Sequence, residues 1–484
     1  MKSQIKKKVL SSLLWKMLER NGTQGIQLLV QIVLARILLP EDFGTLAVLT
    51  VFISFARVFV EYGFNTALIQ KKNADDLDFS SVFYLNGFIV ILLYSLIYIF
   101  APWISEFFKN ESLVWPLRGL ALILPFGAIN AIQNVYVARN MMFKNLFFSS
   151  LGAIIISGTV GIVSAYFGAG VWALVAQQLV NQISISLILW FTVKWRPKLI
   201  FSWERVKGLF SYGWKLLVSQ LLNILYMDIR TLIIGKRYDS STLGYYNKGE
   251  QFPKVIVTSL DGSIQAVMLP ALSAHQDNRK KVKDMVRRAI MTSSFLIFPM
   301  MIGLAVVAEP LVRVVLTEKW MKSVPFLQMF CIAHALRPIH TANLQAINAV
   351  GRSDIFLKLE VIKKIIGLTI VLISIPFGVY ALAFGMVISG LISSFVNAYP
   401  NKKLLNYSYK EQWGDIMPSL LISLLMGGIV YCFNFLKIDD LILLPLQIIT
   451  GVIIYFSSAK LFKLECFNYL LETMKELISG KIKK

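Results

Sequence analysis

The chain has 484 residues, of which 56% are hydrophobic and 16% charged, against roughly 45–50% apolar and about 25% charged in a soluble domain. That balance excludes a water-soluble globule, and the apolar residues fall in runs of about 20, the length that crosses hydrocarbon. The net charge of +22 raises nucleic-acid binding, but the basic residues cluster in short loops between apolar runs, the pattern that orients a membrane protein.

The chain opens with Lys2, Lys6, Lys7 and Lys8, and the apolar stretch 9–15 is broken at once by Lys16, Glu19 and Arg20. No small-residue cleavage site follows, so the start reads as an uncleaved first helix. Apolar segments fall near 12–35, 43–69, 80–101, 113–138, 146–167 and 170–193. A basic stretch, KWRPKLIFSWERVK (194–207), precedes a second set near 209–235, 244–270, 289–316, 324–350, 355–377 and 379–400. Two more, near 415–435 and 441–459, follow. The predicted fold is an all-α polytopic membrane protein of about fourteen transmembrane helices. Its parts are an N-lobe over 1–193, a cytoplasmic linker over 194–207, a C-lobe over 208–400, and two C-terminal helices with a basic tail over 401–484.

Loop charge predicts the topology. With the N-terminus in the cytoplasm, that side receives Lys71, Lys72, Arg139, Lys144, the 194–207 stretch, RKKVKDMVRR (279–288), Arg352, Lys358, Lys402, Lys403, Lys410 and the tail lysines. The opposite side receives Glu41, Asp42, Glu106, Glu111, Glu309, Asp439 and Asp440, and both termini fall inside. The loops are too short for a soluble catalytic domain, which points away from an enzyme. Cys331, Cys432 and Cys466 are far apart without CxxC spacing, so neither a disulfide framework nor a zinc site is implied.

The chain repeats itself. A shift of 200 residues puts Gly44 on Gly244, Glu61 on Asp261 and Asn65 on Gln265, and a shift of 213 puts Pro125 on Pro338 and Asn130 on Asn343. Several matches at near-constant offset predict two related halves, with a binding site at their interface.

Charged residues inside apolar segments cost about 2.5–3.5 kcal/mol each on insertion scales, yet here they fall on helical stripes. Lys16, Arg20, Gln24, Gln27 and Gln31 share one face of the first helix; Thr50, Ser54, Arg57, Glu61 and Asn65 share one of the second. Lys215, Ser219, Asn223, Tyr226 and Arg230 lie on the seventh, and Asn247, Gln251, Lys254, Thr258, Asp261 and Gln265 on the eighth. With Lys248 and Arg337, the cations outnumber Glu19, Glu61, Asp228, Glu250 and Asp261, which predicts a net-positive cavity suited to a phosphate or acidic sugar. The competing readings are helix-packing surfaces for the polar stripes and a structural ion pair for Arg57 and Glu61; His334 and His340 read either as proton relays or, more commonly for a lone histidine, as packed, hydrogen-bonded side chains.

ARILLPEDFGTLAVLTVFISFARVFVEYGFNTALIQKK (35–72) resembles the opening of Wzx-type polysaccharide and O-antigen flippases, in the branch handling colanic and teichuronic acid. The resemblance continues through APWISEFF (101–108), GAGVWALVAQQLV (168–180), LIIGKRYDSSTLGYYNKGEQFP (232–253), MLPALSAHQDN (268–278) and EPLVRVVLTEKWMKSVPFLQM (309–329). It implies the fold of the multidrug/oligosaccharidyl-lipid/polysaccharide superfamily: two lobes in a V around a central cavity. It also implies a substrate, an oligosaccharide repeat unit on undecaprenyl pyrophosphate, flipped to the outer leaflet of a bacterial inner membrane. Related lipid II flippases place cavity cations on their first, second and eighth helices; Arg20, Arg57 and Lys254 correspond here, with Lys16 and Lys248 as competitors.

No cofactor is expected; no GxxxxGK[ST] pattern points to ATP, and alternating access coupled to H+ or Na+ is expected, with Glu61 and Asp261 as ion-coupling candidates. Expected partners are the lipid-linked oligosaccharide, the bilayer and other polysaccharide assembly proteins. The rivals are a drug or metabolite antiporter of the same fold, whose cavity would be acidic or apolar, and a membrane glycan polymerase or ligase, which would need a larger exposed loop.

Overall fold

The computed structural model describes the backbone of residues 2–436 and 438–478, and the side chains of all of these except 2–10, 12, 13, 263, 266, 473, 474, 477 and 478. The side chains of Lys2, Lys6, Lys7 and Lys8 are not described, and Lys481, Lys483 and Lys484 lie outside the described residues. Every regular element among the described residues is helical, because in hydrocarbon a helix satisfies its backbone hydrogen bonds within one segment. Among the described residues, eleven helical segments are long and apolar enough to cross a membrane. The expected segments 12–35, 324–350 and 355–377 are helical but fall short of that measure. The first carries Lys16, Glu19, Arg20 and a run of glutamines, the second breaks at Leu336, and the third carries Lys358, Glu360, Lys363 and Lys364.

The chain forms two compact units, Met1–Gly244 and Tyr245–Lys484. The first holds α1 (Lys2–Ile37), α2 (Pro40–Glu61), α3 (Phe64–Gln70), α4 (Asp76–Phe108), α5 (Val114–Ala121), α6 (Ile123–Asn140), α7 (Phe143–Tyr166), α8 (Val171–Thr192) and α9 (Trp203–Arg237), with the first turn of α10 (Ser240–Ser273). Pro40 opens α2, where its missing N–H is not needed, and Asp42 accepts from Leu39 N at 3.0 Å. The helix stops at Gly63, whose φ of +84° is open to glycine without strain. Gly63 also lies against Gly213 of α9, where an added Cβ would fall 2.7 Å from the Gly63 backbone. Arg139 of α6 caps the carbonyl end of α3, donating to Leu68 O at 2.7 Å and Lys71 O at 2.6 Å.

α4 begins with a reciprocal cap: Asp78 N donates to Asp75 Oδ1 at 3.0 Å, and Asp75 N to Asp78 Oδ2 at 3.2 Å. The same acids receive the basic 194–207 stretch. Lys198 pairs with Asp76 at 2.6 Å, Arg205 reaches Asp75 at 3.6 Å and Asp78 at 3.7 Å, and Lys71 closes on buried Asp78 at 2.6 Å. Lys198 N and Ser202 N donate to the Ser80 and Ser81 hydroxyls, and Trp195 is buried against Phe79. The stretch is therefore a strap on α4, with Lys198 and Arg205 answered by its acids. The Asp78 backbone N–H, with the nearby Arg205 guanidinium, holds the Asp75 carboxyl below the usual carboxylate range. Beyond the strap, α9 packs on α2, α3 and α4.

The second unit holds most of α10, then α11 (Arg279–Val306), α12 (Ala308–Val315), α13 (Val324–Ala335), α14 (Arg337–Ala349), α15 (Ser353–Ser374), α16 (Val379–Ala398), α17 (Asn401–Leu405), α18 (Tyr409–Cys432), α19 (Asp440–Leu461) and α20 (Glu465–Ile478). α11 packs on α13 and α18, and α13 on α16. Gly249 brings α10 close to α13: an added Cβ would lie 2.7 Å from Phe326 Cβ and 2.8 Å from Leu327 N. A buried carboxamide knot ties α14, α17 and α18 together. Asn343 donates to Gln412 Oε1 at 2.9 Å, and Asn401 donates to Asn343 Oδ1 at 2.6 Å. Beside it Asp415 accepts from Tyr407 Oη at 2.7 Å and from Arg287 at 2.9 Å. In water-poor surroundings such bonds replace lost hydration and fix helix register.

The internal repeat is visible in the element boundaries. α1 ends at Ile37 and α9 at Arg237, while α2 begins at Pro40 and α10 at Ser240. The fourth span of each set breaks at a corresponding place, at Leu122 ahead of Pro125 and at Leu336 ahead of Pro338. Within the first unit, a Cβ on Gly44 would sit 1.7 Å from Ser240 O, and one on Gly244 would sit 2.0 Å from Pro40 O. The two contacts are the same contact seen from each copy of the repeat.

Candidate functional site

Several of the basic side chains expected in the spans, Lys16, Arg57, Lys254 and Arg337, are each held from one side by an acid. In the first unit, Arg57 Nε and Nη2 donate to Glu61 Oε1 at 2.8 and 2.5 Å, and 42% of the Arg57 side chain stays accessible. On α1, Lys16 pairs with Glu19 at 2.8 Å, Arg20 is exposed, and Gln24 and Gln27 are half-buried. Asn65 does not continue the polar face of α2. The break at Gly63 puts it in α3, buried, with its amide donating to Val60 O at 3.1 Å as a brace across the break. On α9, Lys215 is exposed whereas Arg230 is buried with its Nε lacking a hydrogen-bond partner, so the expected stripe does not present the two alike.

In the second unit, α10 carries a longer polar face. Asp261 is buried and uses both oxygens: Oδ2 accepts from Arg337 Nε at 3.1 Å, and Oδ1 from Thr341 Oγ1 at 3.1 Å. Arg337 keeps 46% of its side chain exposed. Lys254 lies 3.7 Å from Glu250, whose same oxygen lies 3.6 Å from His334 Nε2. Lys248 is buried with its ammonium 5.6 Å from the centre of the Trp320 ring, a cation–π geometry. Gln251 is half-buried and Gln265 exposed.

Glu61 and Asp261, equivalent by the 200-residue shift, thus each hold an arginine, but by different routes. Glu61 takes one a turn away on its own helix; Asp261 takes one from α14. An arginine fork held on one edge presents its remaining N–H donors together, a geometry that fits two phosphate oxygens at once. Sequence reasoning did not single out Thr341, although it stands four residues after Arg337 and so on the same helix face. It weighed His334 as a proton relay against a packed side chain but named no partner for it, since nothing local marks which acid a lone histidine will meet.

The family described as "Polysaccharide biosynthesis protein" matches residues 33–325. The chain is 26% identical over 303 residues to the teichuronic acid biosynthesis protein TuaB of Bacillus subtilis, spanning 62% of this chain and 63% of that one. It is 25% identical over 442 residues to the lipopolysaccharide biosynthesis protein WzxC of Escherichia coli, covering 87% and 88%. Among solved structures, it is similar to the lipid II flippase MurJ in an inward closed conformation. The TM-score is 0.74 at 18% identity, over 93% of this chain and 98% of that one. An inward-facing multidrug MATE transporter matches at TM-score 0.59 and 16% identity, over 82% and 95%. At these identities the structures establish the fold.

Proposed function

We propose that this chain, which belongs to the polysaccharide biosynthesis protein family, is a flippase that carries a lipid-linked oligosaccharide across the bacterial inner membrane for surface polysaccharide assembly. The headgroup is a pyrophosphate-sugar, the carrier a polyprenyl chain, and the direction cytoplasmic to outer leaflet with both termini inside. The observation that carries this reading is a set of half-exposed cations, Arg57 and Lys254 within long apolar helical segments and Arg337 on α14, each backed by an acid. Such groups are costly in hydrocarbon unless they meet water or an anion, and a pyrophosphate is the anion a polyprenyl carrier brings. The relatives named for teichuronic acid and lipopolysaccharide biosynthesis support the glycan class.

The chain's own residues divide the work. In the first unit Arg57 offers a phosphate the N–H groups that Glu61 does not take; in the second, Arg337 does the same beside Asp261, and Lys254 adds a further charge. An apolar cleft of about 390 Å³ in the second unit, lined by Phe295, Met300, Leu304, Val452 and Phe456, offers the kind of surface a prenyl tail covers. Movement is by alternating access coupled to H+ or Na+. Glu61 and Asp261 are the coupling candidates, because neutralising either releases an arginine.

A MATE-like drug antiporter shares the fold, but lipophilic cations are repelled by exposed arginines. Deleting the gene and extracting lipids tests the proposal: lipid-linked oligosaccharide should accumulate on the inner face. Arg57→Ala should insert normally and abolish surface polysaccharide; normal export by that variant removes Arg57 from the mechanism.

A further inference from the structure

We propose that His334, Glu250 and Lys254 form a proton switch that couples protonation of the His334 imidazole to capture of the anionic headgroup by Lys254. The inference rests on the flippase reading and adds to it the site at which a proton enters with the substrate.

The geometry is a shared carboxylate oxygen. Glu250 Oε1 lies 3.6 Å from His334 Nε2 and 3.7 Å from Lys254 Nζ. Both distances fit an ion pair, and both exceed the 2.7–2.9 Å of a charge-assisted hydrogen bond. The carboxylate stands between a cation of fixed charge and a ring whose charge is switchable. The two partners differ in exposure: the His334 side chain is 6% accessible and its Nε2 has no hydrogen-bond partner, whereas Lys254 is 50% accessible. Gly249 fixes the arrangement, because its missing Cβ is what lets α10 approach α13 closely enough for the next residue to reach the ring. Tyr246 packs edge-on against Phe330 one turn before the histidine, ring centres 5.0 Å apart, holding the same contact.

The charged surroundings act on the ring without replacing the switch. On α10 these are Lys248, Lys254 and Asp261, the last within electrostatic range of His334. α14 contributes Arg337, which is engaged by Asp261, and His340. The segment leading into α13 carries Glu318, Lys319 and Lys322, and α12 carries Glu309 and Arg313. α16, packed on α13, contains no charged residue, and α11, also packed on α13, carries its charged residues, Arg279, Lys280, Lys281, Lys283, Asp284, Arg287 and Arg288, before Ile290.

With a neutral imidazole, Glu250 answers the charge of Lys254. A proton from solvent placed on Nε2 gives Glu250 a second cation, closer and buried, and its hold on Lys254 weakens. Lys254 then turns to the phosphate. Reciprocity follows from linkage: an anion that occupies Lys254 frees Glu250 for the imidazolium, so headgroup binding takes up a proton. The proton compensates part of the headgroup charge where hydration is thin. Histidine is suited because its unperturbed titration falls within pH 5–8.

The test uses the purified full chain in nanodiscs with farnesyl pyrophosphate as probe. Calorimetry is run at pH 5.5 and 7.5 in buffers of different ionisation enthalpy, for wild type, His334→Gln and Glu250→Gln, with melting curves confirming folded variants. Titration of the probe itself is common to all and cancels. The wild type should bind about fivefold or more tighter at low pH than His334→Gln does, relative to each protein's affinity at pH 7.5, within the usual range of coupling. It should also take up a proton that the variant does not. Glu250→Gln should bind at pH 7.5 as the wild type binds at pH 5.5, since Lys254 is then free at both. Wild-type pH dependence retained in His334→Gln, or binding weakened at pH 7.5 by Glu250→Gln, overturns the switch while leaving the flippase reading in place. Folded wild type that ignores the probe at both pH values overturns the flippase reading itself, and the switch with it.

Discussion

Gly44→Ala and Gly244→Ala probe the crossing of the two repeat copies directly. A Cβ at Gly44 would lie 1.7 Å from Ser240 O and 2.6 Å from its carbonyl carbon, and one at Gly244 would lie 2.0 Å from Pro40 O and 2.8 Å from its carbonyl carbon. Non-bonded carbons prefer separations of about 3.5–4.0 Å, so the segments must part by roughly 1.5 Å. The obstacle is backbone on both sides, so no rotamer change relieves it. Overpacking usually costs about 1–3 kcal/mol, and these substitutions belong at the upper end, about 3 kcal/mol. At about 2 °C per kcal/mol for a large domain, the melting temperature in detergent should fall by about 6 °C. One displacement relieves both clashes, so the double variant should cost clearly less than the sum. Gly87→Ala is the control: a Cβ there meets nothing within 4 Å, and alanine in a helix interior is better than glycine by about 0.5–1 kcal/mol. Melting curves for the wild type and the four variants decide the matter. If Gly44→Ala melts with the wild type, the crossing is not the close contact described and the argument from the repeat fails with it.

Asp78→Asn should destabilise the first unit, measured by thermal melting. Its side chain is 0% exposed while Lys71 and Arg205 keep 29% and 40%, so the cost is about 2 kcal/mol, below the roughly 3–5 for a fully buried pair; an unchanged melt would show that the strap does not depend on it. The strap should also loosen in acid. Because the folded Asp75 carboxyl is held low, its contribution is complete above the ordinary carboxylate value near 3.9 and is lost as pH falls through the depressed one. Pepsin should therefore cut within 194–207 faster at the acid end of its range, and Asp75→Asn should flatten that trend. Combining Glu61→Gln with Asp261→Asn should slow export and alter its dependence on pH or sodium in vesicle assays; an unaltered dependence removes both acids from coupling.

The one-dimensional pattern was sufficient for the membrane, the helices and the duplication, because each depends on local or periodic properties. Apolar runs near 20 residues need a bilayer wherever they pack, whereas the breaks at Gly63 and Leu336 fall inside segments, 43–69 and 324–350, that the pattern reads as continuous. The pairing of Arg57 with Glu61 was equally readable, since a spacing of four places both on one helix face. Contacts between distant segments were not. That the basic 194–207 stretch binds Asp75, Asp76 and Asp78, that Asp261 takes Arg337 and Thr341 rather than a neighbour on α10, and that Asn65 turns inward after Gly63 all depend on how helices dock. Docking is decided by close approaches such as Gly249 against Phe326, where a few tenths of an ångström determine which side chains meet. Sequence therefore showed which charged residues fall within apolar segments, and tertiary structure decided which charges answer one another, because Coulomb attraction and hydrogen bonding depend on distance in space and not on separation along the chain.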